Sequence, residues 1–332
     1  MSVIIVNYNG GDFIQTALDC LKRQTRAADE VIVVDNASED GSADRMDLSG
    51  LNEARLIRLD DNVGFAAGNN LAACEANGEW LLLLNPDTEA KPDWIEELLR
   101  AAARHPGVNM FASAQLDATD PSVMDGAGDA YSILGIPWRG GFGRPASEMP
   151  AEGECFSPCG AAMLVRRSTF LEAGGFDESF FCYCEDVDLG FRLRLKGERC
   201  VFVPGAIVHH HGSAITGRHS DFTVRLGTRN RIRAYLQNMP PVALAITLPG
   251  HFLATLYLYV RALGKPHAPA MRAGISEALG DLGATWTRRQ RVQAARTLSS
   301  WDILTKMSWN PLRLSARKTH VWPVSGTGAA KK

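Results

Sequence analysis

"LLLLNPDTEA", residues 81–90, decides the fold. Four consecutive leucines leave no polar side, so a strand here must be covered on both faces, as parallel strands under helices are. Asn85 ends the apolar run. Pro86 stops the strand by removing a backbone donor and fixing one dihedral. Asp87 is left at the mouth of the sheet. Working outward, "SVIIV" from residue 2, "EVIVVD" from residue 30 and "ARLIRL" from residue 54 are further strand runs. A helical pattern from Phe13 to Leu21 and the stretch "GFAAGNNLAACEA" separate them. With right-handed crossovers, this alternation predicts a doubly wound, mostly parallel α/β sheet over residues 1–105.

Residues 106–220 form a second half of the same domain. "GVNMFASAQL" and "GAAMLVRR" read as strands, and the Gly/Pro-rich "GIPWRGGFGRP" reads as a mobile loop able to close over a ligand. "EDVDLGFRLRLKG" is a helix: Val187, Phe191 and Leu195 repeat on one side, Leu189 and Leu193 widen the stripe, and Gly197 ends it. "CVFVPGAIVHHHGS" is a strand running into a histidine cluster. Residues 221–310 read as a helical extension, and 311–332, ending "GTGAAKK", as a disordered tail.

The 332 residues carry a net charge of -2, but unevenly. Residues 1–221 hold 18 Lys and Arg against 34 Asp and Glu, and residues 222–332 hold 17 against 3. A basic extension on an acidic body points to an anionic partner, a membrane surface above all, or to attraction between the halves. Nucleic acid is disfavoured, because the cations lack aromatic interleaving or a known motif. Residues 242–260 are apolar and just long enough to span a bilayer, for which ~20 are needed. Pro249, Gly250 and His251 interrupt their middle, which favours a helix lying against the membrane or packed on the body over a true span. Met1 leads straight into a strand without a basic leader, and there are seven cysteines, an odd number; both suit a reducing cytoplasm. The spacings of Cys155/Cys159 and Cys182/Cys184 are not those of a zinc clamp.

Ligands of open parallel sheets bind at the carboxyl ends of the strands. Asn7, Tyr8 and Asn9 follow the first strand, Asp35 and Asn36 the second, and Asn85 and Asp87 the fourth. Asp and Asn also favour loops in their own right, but three strand ends converging goes beyond that. Asp87 suits a hard divalent cation, which takes one or two carboxylates plus substrate phosphates. No GxGxxG follows the first strand and there is no GxxxxGK[ST], which argues against a dinucleotide oxidoreductase and a P-loop enzyme. Glu185, Asp186 and Asp188 crowd a helix start, where acids also serve as caps. The run His209–His211 offers a neutral imidazole to a metal.

Taken in order, "SVIIVNYNGGDFI", "VIVVDNASEDGS", "NVGFAAGNN", "LLLLNPDTE", "CGAAMLVRRSTFLEAGGFDESFFCYCEDVDLGFRLRLKG" and "VPGAIVHHHGSA" resemble the motif series of family 2 glycosyltransferases, in particular its bacterial rhamnosyltransferase-like branch. The resemblance covers about residues 1–215. It implies a GT-A fold, a nucleotide-sugar donor with dTDP-L-rhamnose first among candidates, a divalent cation (Mg2+ or Mn2+) and inversion at the anomeric carbon. The expected acceptor is a glycan or lipid-linked hydroxyl, and the basic extension suits a lipid-linked one at the cytoplasmic face of the membrane. It assigns Asp35 to the nucleotide base, with Asn7, Tyr8 and Asn9 beside it, and Asn62, Gly64 and Asn70 to the ribose and diphosphate. Asp87 matches the last position of the metal-binding Asp-x-Asp, where Asn85 stands in place of an acid. Asp186 of the Glu185–Asp186 pair matches the catalytic base, and His210, with His211 as near rival, a downstream ligand. Trp138 and Asp188 are candidates for contact with the acceptor or the sugar. A nucleotidyltransferase would need a cation in its first loop, which "NYNGGDFIQ" lacks, and a non-catalytic sugar-nucleotide-binding protein would not need "EDVD".

Overall fold

The structure is a computed structural model and describes residues 1–212 and 220–324. Its strands are β1 (Ser2–Asn7), β2 (Glu30–Asp35), β3 (Ala54–Arg58), β4 (Trp80–Leu84), β5 (Thr88–Ala90), β6 (Met110–Asp117), β7 (Met124–Ala127), β8 (Asp129–Tyr131), β9 (Pro137–Arg139), β10 (Gly153–Cys155), β11 (Ala162–Arg166) and β12 (Cys200–His210). Ten of them form one mixed sheet in the order β10-β12-β6-β11-β4-β1-β2-β3, with β5 on β12 and β7 on β6; β8 and β9 make a separate hairpin. The first four strands are parallel, and β6 and β12 are parallel to each other. β11 is inserted antiparallel between β4 and β6.

The leucine run behaves as its composition requires. Leu82 and Leu84 enter one apolar cluster with Val3, Ile5, Val31 and Val33. Leu81 and Leu83 enter the cluster on the opposite face with Ile4, Val6, Ile32 and Val34. Helices α1 (Phe13–Lys22), α2 (Ser42–Arg45), α3 (Gly64–Glu75), α4 (Trp94–Arg104) and α5 (Arg167–Glu172) belong to this body. α6 (Glu185–Leu195) faces two cores at once: Leu189 and Leu193 join the sheet cluster, while Val187, Phe191 and Leu195 join a third cluster with Tyr131, Phe156 and Tyr235.

The extension consists of α7 (Asp221–Asn238), α8 (Pro241–Ala262), α9 (Ala268–Gly280), α10 (Leu282–Ala294), α11 (Ser300–Lys306) and α12 (Pro311–Ser315). Arg225 and Arg233 of α7 pair with Glu277 and Asp281 at 2.6 and 2.9 Å, and Arg288 reaches Asp177 of the body at 3.5 Å. α8 continues through Pro249 and packs by one side, burying Ala243, Leu244, Thr247 and His251. His251 stacks on Tyr235 at 3.8 Å and its Nδ1 lies 2.8 Å from the Leu134 carbonyl. Burial, with Arg231 nearby, pushes its pKa down to about 4.

Two expectations from the sequence are corrected. The Gly/Pro-rich stretch is tied down rather than loose: β9 pairs with β8, and Ala127 N, Gly140 N and Gly143 N donate to Gly140 O, Gly128 O and Met124 O. Its glycines answer a geometric need, since Gly141 and Gly143 sit at φ +79° and +75°. The tail expected to be disordered from residue 311 is instead fixed through Val324. Gly141 N donates to Arg317 O, and Trp322 exchanges both backbone bonds with Glu154 at 2.7 and 2.9 Å. Polar composition suggested disorder, but backbone pairing of this kind needs no apolar side chains. Residues 325–332 lie outside the described residues.

Candidate active site

The turn after β4 explains the Asn-Pro-Asp sequence. Asn85 N donates to Ala161 O at 2.8 Å and Thr88 Oγ1 donates to Asn85 O at 2.6 Å, so the chain reverses into β5. β5 then pairs antiparallel with β12, with Thr88 opposite His210. This register brings Asp87 beside His210, with Nε2 3.4 Å from Asp87 Oδ1. Both line a cavity of about 450 Å3 at the carboxyl ends of β1, β2 and β4.

A charged relay stands behind His210. Its Nδ1 lies 2.6 Å from Asp125 Oδ2, and Arg139 binds the same carboxylate. Burial pushes the Asp87 carboxyl up, but His210 and Arg139 more than offset this and hold it below its usual range. Burial likewise disfavours the His210 imidazolium, and Asp125 and Asp87 outweigh burial to raise its pKa.

Asp186 lines the same cavity and is partly exposed. Its Oδ2 accepts from Gly160 N and its Oδ1 from Val187 N, each at 2.7 Å. None of these acids is the N-cap of α6, which is Cys184 and makes no side-chain cap bond. Glu185 also lines the cavity, but burial, reinforced by Asp186, pushes its carboxyl well above the usual range. Of the adjacent pair, Glu185 is the buried one and Asp186 is the one held by backbone N–H groups.

The family model described as "Glycosyl transferase family 2" matches residues 2–168. The chain belongs to glycosyltransferase family 2. This family 2 glycosyltransferase is 31% identical over 242 residues to the N-acetylglucosaminyl-diphospho-decaprenol L-rhamnosyltransferase of Mycobacterium tuberculosis, covering 66% of this chain and 78% of that one. It is 29% identical over 264 residues to the rhamnosyltransferase WbbL of Escherichia coli K12, covering 69% and 93%. Among solved structures it resembles GalNAc-T7 with UDP, GalNAc and Mn2+ (TM-score 0.58, 15% identity, 85% of this chain and 57% of that one). It also resembles S. aureus TarS 1–349 (TM-score 0.55, 17% identity, 89% and 82%). The fold is that of the GT-A glycosyltransferases.

In this glycosyltransferase the expected donor residues divide. Tyr8, Asn62 and Gly64 line the cavity. Gly64 sits at φ +88°, and a Cβ there would come within 2.6 Å of the Phe181 ring. Asn7 and Asp35 lie behind the wall, buried and hydrogen-bonded to each other at 2.9 Å. Asn9 accepts from Glu39 N through its side chain, while its own backbone N donates to Ser38. Asn36, next to Asp35, is the residue of that strand end that reaches the cavity, and its Nδ2 donates to Asn62 Oδ1 at 2.8 Å.

Two assignments are corrected. Asn70 does not line the cavity: its amide brackets Phe176, donating to the carbonyl at 2.9 Å and accepting from the N–H at 2.8 Å. Asp188 is fully buried away from it, paired with Arg192 at 2.7 Å and accepting from Asn238 at 2.7 Å. Two residues beyond Asp186, about 200° round the helix, it points into the core. His211 is drawn off to Glu89 at 2.8 Å, which leaves His210 as the cavity histidine. Trp138 does line the cavity, anchored by its Nε1 donating to Lys318 O at 3.0 Å.

Sequence reasoning missed Asp125, Asp129, Arg139 and the 181–184 loop. The hairpin register sets Arg139 opposite Asp129, a pairing that no sequence spacing announces. Asp87, His210 and the buried, unpartnered Oδ1 of Asn85 together offer a carboxylate, an imidazole and an amide oxygen. Such donors fit a divalent cation whose other positions are taken by phosphate oxygens. No cluster of three His, Cys, Asp or Glu side chains poised for a metal occurs among the described residues.

Proposed function

We propose that this glycosyltransferase transfers a sugar, with inversion, from a nucleotide-sugar to a hydroxyl of a glycan or lipid-linked acceptor in cell-surface polysaccharide assembly. The observation that carries this reading is that Asp186 lines the same cavity as the Asp87–His210 pair. The donor is taken as dTDP-L-rhamnose, on the strength of relatives whose names specify rhamnosyl transfer. A lipid diphosphate acceptor is favoured because the mycobacterial relative's name specifies one.

Asp186 accepts the proton of the acceptor hydroxyl while that oxygen attacks the anomeric carbon opposite the departing diphosphate. The new C–O bond forms as the bond to the diphosphate breaks. Asp87, His210 and Asn85 hold a divalent cation, which when bound supplies charge for the leaving diphosphate. Tyr8, Asn36 and Asn62 hold the nucleotide, with Asn7, Asn9 and Asp35 fixing the turn behind them. Trp138 offers its face to a sugar. A base at this position is worth roughly 10² to 10⁴ in rate. Asp186→Asn is therefore expected to lose turnover by about that factor while keeping nucleoside diphosphate affinity. An Asp186→Asn enzyme with near-normal kcat sinks the assignment.

We place the enzyme peripherally on the cytoplasmic face of an anionic membrane. One face of α8 exposes Phe252 (65%), Leu253 (61%) and Tyr257 (59%). Arg261 and Lys265 follow them in a cation-rich extension. This is the pattern of a helix that lies in the interface.

A further inference from the structure

The loop that leads into α6 has an unusual backbone. Phe181, Tyr183 and Cys184 all have positive φ, at 66°, 70° and 66°. None is glycine, and each such residue is costly unless its surroundings dictate it. All three line the cavity, immediately before Asp186. Family resemblance in the body does not say what holds them there.

The answer comes from the extension. Asn230 of α7 is fully buried, and its Nδ2 donates to the carbonyls of Phe180, Cys182 and Tyr183 at 2.9, 2.9 and 2.8 Å. Arg229 donates to Ser179 O and Phe180 O at 3.2 and 3.0 Å, and Arg233 to Ser179 O at 3.3 Å. The remaining carbonyl, Phe181 O, accepts from Ala66 N of α3 at 3.1 Å. Every carbonyl from 179 to 183 thus has a donor, and α7 supplies all but one of them. Apart from Cys182 N, which donates to Phe180 O at 2.8 Å, the loop with its positive φ at 181, 183 and 184 does not satisfy these carbonyls itself, so buried donors are brought to it. An amide at the centre of three carbonyls does this without adding charge.

We propose that Asn230 is a positioning residue for Asp186: its amide locks the 181–184 loop in the conformation, with positive φ at 181, 183 and 184, that sets the start of α6, and with it the Asp186 side chain, in the cavity. The extension therefore completes the active site. This rests on the reading of Asp186 as the base, so Asp186→Asn is measured in parallel.

The test uses the full chain and compares Asn230→Ala and Asn230→Asp with Gln293→Ala. Gln293 donates to Gln237 O and Asn238 O of the same helix and lies outside the cavity lining, so its loss controls for destabilisation. Asn230→Asp keeps the shape and removes the donors. Expected is a fall in kcat of about 10²-fold for both Asn230 variants, as for a displaced catalytic group, with affinity for dTDP and UDP by calorimetry within about threefold of wild type. Gln293→Ala, at a similar loss of melting temperature, stays within about threefold in kcat. Adding Cys184→Gly to Asn230→Ala should recover about tenfold in kcat relative to Asn230→Ala, with Cys184→Gly alone measured as the reference for the glycine, because glycine takes φ +66° without the clamp. Asn230→Ser, which keeps one donor, serves in place of a variant that does not fold and must still fall below Gln293→Ala. Asn230 variants that match Gln293→Ala in kcat, or no recovery with glycine, overturn the proposal. Activity retained in Asp186→Asn overturns the base assignment instead.

Discussion

Asp87 and Asp186 show how much a single side chain reveals before its neighbours are known. Each was legible, Asp87 as a carboxylate after a buried strand and Asp186 through the Glu-Asp resemblance. What each does in the cavity depends on partners that are distant in sequence: His210 and Arg139 for Asp87, and Gly160 for Asp186. Asn85 brings no charge, so in the proposed cation site Asp87 would carry most of the electrostatic attraction. Asp87→Ala is expected to weaken donor binding by about 10-fold or more when Mn2+ is present, the scale on which a lost charge-assisted contact of ~1.5–3 kcal/mol registers. Without Mn2+, calorimetry should find wild type and variant alike. An equal loss with and without the cation would remove Asp87 from the ligand set. Asn70 and Asp188 show the reverse case, polar residues in motif positions that serve the scaffold.

At the scale of elements, the apolar runs fixed β1, β2 and β4 because strands covered on both faces are apolar along their middles, with polar residues confined to their ends. β5 was invisible: "TEA" has no strand pattern, and it is held only by its pairing with β12. The direction of β11 was equally hidden, since an apolar run reads the same in both senses. Glu30 ties three elements at the far end of the sheet. It accepts from Ser2 Oγ at the start of β1, from Asn77 N at 3.0 Å and from Arg55 of β3 at 2.6 Å. Burial pushes its carboxyl up, and these bonds together bring it below the usual range. A carboxyl lowered in the folded state stabilises above its unfolded pKa of about 4.3, and that stability is lost as pH falls through the lower folded value. Glu30→Gln should therefore cost about 2 kcal/mol at pH 7, with the gap to wild type closing below pH ~4. Thermal melts at several pH values read this directly, and a gap that persists in acid would refute it.

For the whole molecule, the extension is where composition alone left two readings. Hydropathy marked residues 242–260 as long enough to span, and Pro249, Gly250 and His251 in their middle favoured a helix lying against the membrane or packed on the body. In the structure α8 packs by one side, burying His251 and Thr247, and exposes its other side. The outward apolar face and the surplus of cations predict binding to vesicles containing anionic lipid. Flotation should fall about 10-fold or more with Phe252→Glu/Tyr257→Glu, given ~1.5–3 kcal/mol per lost aromatic anchor. It should also weaken at high salt through screening of the cations. Binding unaffected by both changes would assign this face to another partner.

By itself the sequence determined the covered strands, their order of appearance, the acids at their ends and the membership of a glycosyltransferase family. The strands and their acids follow from local composition and short-range spacing, which the chain carries wherever it folds, and the family from the resemblance of its motif series. Tertiary structure alone decided that Thr88 lies opposite His210, that Arg139 lies opposite Asp129, and that Asn230 grips the loop before Asp186. Those contacts join residues from ten to more than a hundred positions apart, and strand register and helix packing, which no local pattern encodes, set them.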